Sequence, residues 1–163
     1  MEFKASMDTK TSIITAGVIL LLFSLSNLTA VLSGELILNE DSLMGLPLVA
    51  LLLCPIAYGL SIKSYQITPE KLIVVRPFKN VQFLRTDIRH VVATDKSGIG
   101  FAWRLFGSGG FFGYFGRFYS SQLGRFTMYG SQSGNYVVIT LAGDKKIVLT
   151  PDLPGEFVAA LGK

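Results

Sequence analysis

The chain predicts a membrane-anchored, mainly β protein: a two-helix transmembrane hairpin, then a seven-stranded sandwich or partly open barrel closed by one C-terminal amphipathic helix. Three observations point there. Residues 11–62 hold two long uncharged runs, and the chain then alternates short β-branched and aromatic runs with turn residues. The closing residues carry an apolar stripe at helical spacing. Of the 163 residues, 50% are hydrophobic and 16% charged, with a mean hydropathy of +0.48. Soluble domains are nearer about a quarter charged, so a membrane class is tested first.

The first uncharged run, Thr11 to Gly34, has 24 residues and the second, Ser42 to Ile62, has 21. At about 1.5 Å per residue each can cross a hydrocarbon core of about 30 Å. A bilayer interior offers the backbone no water, so both are expected as helices, over residues 12–33 and 43–62 of a hairpin spanning 11–62. Glu35, Glu40 and Asp41 mark an acidic external loop at 34–42, and residues 1–10 a cytoplasmic N-terminal tail. The first run is too long for a signal-peptide core, and Glu2 and Asp8 offset Lys4 and Lys10 in its flank. Lys4, Lys10, Lys63 and Lys71 flank the pair, while the connection has no Lys or Arg. The positive-inside rule then predicts a multi-pass inner-membrane protein with both termini cytoplasmic. Pro55 is expected to kink the second helix. The single cysteine, Cys54, excludes an internal disulfide and reads as a packed side chain.

From residue 63 onward a cytoplasmic domain is expected. Tyr65–Thr68, Lys71–Arg76 and Val81–Arg85 read as strands, separated by Pro69-Glu70 and Pro77. Thr86–Ile88 is a helical turn and Arg89–Thr94 a fourth strand. After the 97–122 segment come Arg125–Tyr129, Tyr136–Leu141 and Lys145–Leu149, with a tight Gly143-Asp144 turn between the last two. Thr150 or Asp152 can cap the closing helix, whose stripe is Leu153, Phe157, Ala160 and Leu161. The pattern suggests an antiparallel sheet curled under the helix.

The Lys71–Arg85 segment with its basic, Pro-punctuated turns, the Thr86–Ile88 turn and the closing Pro151-Asp152…Glu156-Phe157 helix resemble the bacterial pleckstrin-homology (PH)-like domains, over about Ser64–Leu161. The most specific part is FGSGGFFGYFGRFY, Phe106–Tyr119, followed by LGRFTMY, Leu123–Tyr129. It looks like the signature of a membrane-anchored branch of that family. The resemblance implies a PH-like barrel behind transmembrane helices, with no catalytic residues. The eukaryotic phosphoinositide motif is not reproduced by Lys71, Arg76, Lys79 and Arg85, so that ligand is not carried over.

No catalytic, cofactor or metal set stands out. His90 is the single histidine, and the domain's carboxylates fall mainly at turns and caps without a close pair. The glycines lack the spacing of a phosphate loop, and the aromatics lack that of an RNA-recognition strand, so nucleic acid is not the expected partner. The charge is uneven: residues 1–62 carry two basic and five acidic side chains, residues 63–163 thirteen and six. A basic domain suits anionic lipid headgroups.

The 97–122 insertion is the candidate contact region, with nine aromatic residues and seven glycines among its 26. Trp103, Arg104, Phe106, Phe111, Phe112, Tyr114, Phe115, Arg117, Phe118 and Tyr119, with Arg125 just beyond, are the candidate contacts for lipid or a partner. Three readings of the aromatics stay open: inward packing, contact with a bilayer, or a protein interface. The expected function is a non-enzymatic, membrane-anchored binding or scaffolding module at the cytoplasmic face of the inner membrane. The alternative is an accessory or regulatory subunit of a membrane transporter or sensor complex, contacting protein through the helices or the 97–122 segment.

Overall fold

The computed structural model describes residues 1–32 and 46–162. Among these residues ten strands form two sheets. The first sheet contains β1 (Glu2–Lys4), β2 (Ser64–Ile67), β3 (Lys71–Val75) and β4 (Val81–Leu84), antiparallel in that order. A 3₁₀ turn, Arg85–Asp87, leads to the second sheet. Its strands are β5 (Ile88–Thr94), β6 (Ala102–Gly109), β7 (Tyr114–Ser120), β8 (Gly124–Gly130), β9 (Tyr136–Leu141) and β10 (Lys146–Leu149), ordered β5-β9-β10-β8-β7-β6.

The expected seven strands are therefore ten, and the sheet is not antiparallel throughout. β10 lies parallel to β8 and antiparallel to β9. This central strand, KIVL, faces apolar neighbours on both sides: Ile147 and Leu149 enter one core and Val148 the other. A continuous apolar run is what burial on both faces demands. The tight turn before β10 forms as expected, with Gly143 and Asp144 at φ 77° and 56°.

The main core lies between the sheets. Tyr65, Leu72 and Val74 pack against Val137, Ile139 and Leu149, and α4 (Pro154–Leu161) adds Phe157 and Leu161. Phe157 meets Tyr65 and Phe3 edge-on, with ring centroids 5.7 and 5.2 Å apart. The Tyr65 hydroxyl donates to the Tyr129 carbonyl at 2.6 Å and accepts the Thr150 N–H at 3.0 Å, which ties the sheets together. Burial raises its pKa above the usual phenol range, so it stays a donor. Thr150 and Asp152 do not cap α4. Leu153 occupies the cap without a side-chain bond, while the Thr150 hydroxyl accepts the Ser131 N–H and Asp152 bonds Ser6.

Two helices precede the domain, α1 (Thr9–Leu32) and α2 (Leu46–Leu60). The transmembrane hairpin and the multi-pass inner-membrane placement with cytoplasmic termini must be corrected, because no helix among the described residues is long and apolar enough to cross a membrane. The first turns of α1 belong to the β-domain: Thr11 and Thr15 are buried, and Asp8 accepts the Thr11 and Ser133 N–H groups. The described part of α2 runs for 15 residues with Pro55 inside it. The expected external loop at 34–42, and the expected helix ends at 33 and 43–45, lie outside the described residues.

Residues 1–8 line the domain. Glu2, Phe3 and Lys4 pair with Gln66, Tyr65 and Ser64. Ala5 N–H donates to the Lys63 carbonyl, the Lys4 carbonyl accepts the Asp152 N–H, and the terminal ammonium bonds the Ile67 carbonyl.

β6 and β7 pair along their whole length, with Gly107 facing Gly116. These two have φ of 113° and 121°, and a Cβ on either would overlap the carbonyl of a residue on the facing strand, Phe115 or Phe106. Only glycine fits this close approach.

Two stability outcomes are expected. Tyr65→Phe strands the Tyr129 carbonyl and the Thr150 N–H and lowers stability by about 1–3 kcal/mol in urea denaturation. Gly116→Ala forces a side chain into a glycine-only conformation against a facing carbonyl and costs about 1–3 kcal/mol or more by the same measurement.

Candidate functional site

The 97–122 segment folds as a short helix, α3 (Lys96–Ile99), and the β6–β7 hairpin at one edge of the six-stranded sheet. Register divides its side chains. Trp103 lies opposite Tyr119 and Phe106 opposite Arg117, while Tyr119 in turn faces Arg125 on β8. Opposed residues point to the same face of a sheet, so these five share one face. All five are exposed, Phe106 by 77% and Trp103 by 65%. Leu105 is the extra residue where the register shifts between Arg104 and Phe106, and it is exposed too.

On this face Leu105, Arg117, Arg125, Lys145 and Lys146 line a groove of about 350 Å³, floored by Phe83 and Tyr129. Among the described residues no carboxylate lines it. Lys146 donates to the Leu123 carbonyl at 3.1 Å, whereas Arg117, Arg125 and Lys145 make no side-chain hydrogen bond among the described residues. Burial pushes the Tyr129 phenol up, against the pull of nearby Arg76, whose guanidinium carbon lies 5.9 Å from the ring centre. Cations of a groove that no described carboxylate lines thus stand beside exposed aromatic rings on one surface.

The other face of the hairpin is concave. Arg104 lies opposite Phe118, and Phe118 opposite Phe126 with the rings stacked at 5.8 Å. Phe118, Phe126, Met128 and Ile99 form a second core cluster under α3, beside a cavity of about 810 Å³ that Arg104 and Tyr114 also line.

The hairpin tip is fixed to the helices. The Thr15 hydroxyl donates to the Gly110 carbonyl at 3.3 Å and accepts the Phe112 N–H at 2.9 Å. Tyr58 of α2 meets the Phe112 ring edge-on at 5.8 Å, and Phe111 and Phe112 touch each other. This clamp holds Phe112 at a φ of 57°, which a phenylalanine rarely adopts.

The candidate residues thus separate. Trp103, Phe106, Arg117, Tyr119 and Arg125 come together on the exposed face. Arg104, Tyr114 and Phe118 belong to the concave face, Phe111 and Phe112 to the tip, and Phe115 to the main core. Leu105, Lys145 and Lys146 complete the exposed face and Lys96 and Tyr136 the concave one. The paired lysines after the Gly143-Asp144 turn were a readable signal, since a tight hairpin returns its second strand beside the sheet. Among the described residues no three His, Cys, Asp or Glu side chains are grouped so as to hold a metal ion.

No curated protein and no solved structure matches the chain. Residues 63–163 match the family described as bacterial PH domain, and the two-sheet, PH-like fold agrees with that match. PH domains are in general non-catalytic modules that bind lipids or proteins. The chain belongs to the bacterial PH domain family.

Proposed function

We propose that the protein is a non-enzymatic binding module that docks on anionic lipid surfaces through the exposed face of the β6–β7 hairpin. The observation that carries this reading is the shared face of Trp103, Phe106 and Tyr119 with Arg117 and Arg125. Aromatic rings favour the headgroup zone, where an apolar ring and a polar edge are both satisfied. Each Lys or Arg near an anionic surface adds about 1 kcal/mol, and this attraction weakens with salt. Leu105 and Phe106 extend the apolar contact, and Lys145 extends the cationic one.

Trp103 is the single tryptophan, so its emission reports the contact directly. Phosphatidylglycerol-containing vesicles are expected to blue-shift Trp103 emission of the full chain and to sediment with it. Phosphatidylcholine vesicles alone are not, and raised salt is expected to reverse the effect. Replacing Arg117 and Arg125 together with Gln should weaken vesicle binding about tenfold to thirtyfold, from about 2 kcal/mol of lost attraction. Equal binding by the double variant would sink the proposal. The competing reading is an accessory subunit of a membrane transporter or sensor complex that uses the same segment on a protein. It requires the opposite result: crosslinks to protein that depend on this face, and no response to vesicles.

A further inference from the structure

The concave face of the hairpin has the features of a small-molecule site separate from the surface patch. Its cavity of about 810 Å³ lies between α3 and strands β6 to β8, within the range that holds small ligands. Its floor is apolar, since Ile99, Phe118, Phe126 and Met128 are all buried members of one cluster. Its rim carries Lys96 and Arg104, and among the described residues no carboxylate lines it. The nearest acidic side chain in sequence, Asp95, is engaged in capping α3, where it accepts the N–H groups of Ser97 and Gly98. Neither Lys96 nor Arg104 makes a side-chain hydrogen bond among the described residues. The Arg104 guanidinium lies across Gly109, 3.2 Å from where a Cβ on that residue would stand. Both Arg104 and Gly109 line the cavity, so a side chain at 109 would crowd the cation at the rim.

Tyr114, Tyr136 and Ser133 add hydroxyl groups to an otherwise apolar wall. Burial holds the Tyr136 phenol above its usual range, with Ser133 opposing, so it remains a neutral donor. Two cations without a partner among the described residues, with neutral donors over an apolar floor, match one kind of ligand: an anionic head on an apolar tail.

We infer that this cavity binds a single-chain amphipathic anion, its tail on Ile99, Phe118, Phe126 and Met128 and its carboxylate or phosphate head at Arg104 and Lys96. Head chemistry and tail chemistry are both required. A free inorganic anion lacks the apolar contact, and a neutral amphiphile leaves the cations without a partner.

Isothermal titration of the full chain with dodecanoate, below its micelle concentration, tests this. One site per chain is expected, also filled by dodecyl phosphate, with dodecanol at least tenfold weaker and inorganic phosphate giving no heat. Arg104→Gln, at an exposed position that leaves the fold intact, should weaken dodecanoate about tenfold and dodecanol hardly at all. Ala102→Trp should fill the cavity and abolish both. Arg117→Gln with Arg125→Gln, on the opposite face, should leave dodecanoate binding unchanged, which separates this site from the vesicle contact. The inference is overturned by equal affinity for dodecanoate and dodecanol, by an unaltered titration in the Arg104 variant, or by no binding to the wild-type chain.

Discussion

A strand three residues long has no stability of its own, yet the small sandwich depends on one. Glu2–Lys4 pairs with β2, the Lys4 carbonyl takes the Asp152 N–H just before α4, and Ala5 enters the main core. A few residues on, the Asp8 carboxylate takes the Ser133 N–H and Thr15 takes the Phe112 N–H. Desolvation raises the Asp8 pKa, but its hydrogen bonds with Thr11 and Ser133 outweigh that and hold it below the usual carboxylate range. Its contribution is therefore present above the unfolded carboxylate pKa and is lost as acid takes the pH down through the folded one. The N-terminal residues thus buttress a domain whose family match begins only at residue 63. They close one edge of the four-stranded sheet, brace the approach to α4 and hold the tip of the β6–β7 hairpin.

The clamped tip makes the functional reading possible. With Thr15 and Tyr58 holding residues 110–112 and the Gly107–Gly116 approach fixing the strands, the hairpin is a stiff two-sided blade rather than a loose loop. A stiff blade keeps its aromatic and cationic side chains on one face, ready to meet a charged surface without first ordering a segment. The two faces differ chemically because the register shift at Leu105 turns the alternation of β6, leaving Arg104 behind and Phe106 in front.

Much of the fold could be read from the chain. β2 to β5 and β8 to β10 follow β-branched runs bounded by Pro, Gly and Asp, and the stripe of α4 buries Phe157 and Leu161, while Leu153, its expected first member, stays exposed at the cap. β1 was not legible, because EFK carries no pattern and pairs only because β2 offers an edge. β6 and β7 were hidden by glycine, which β propensity counts against a strand although here it permits the close pairing. The helices were misread because hydropathy registers Thr15 as neutral, not as the residue fastening α1 to the hairpin, and Thr11 as neutral, not as buried against the domain. Composition singled out 97–122 as the candidate site, but no count of aromatics distinguishes Phe106, displayed at the surface, from Phe115, buried in the core. That distinction is made by strand register, and register depends on a bulge that the sequence does not announce.

Amide hydrogen exchange on the full chain tests most directly whether the N-terminal residues belong to the domain. The N–H groups of Ile67, Phe112, Ser133 and Asp152 all donate to residues 1–15, whereas the Thr150 N–H reports the core through Tyr65. The four amides are expected to exchange as slowly as Thr150, opening with the whole domain. Fast exchange at those four while Thr150 stays protected would contradict it, and would reduce the N-terminal segment to a loosely attached arm.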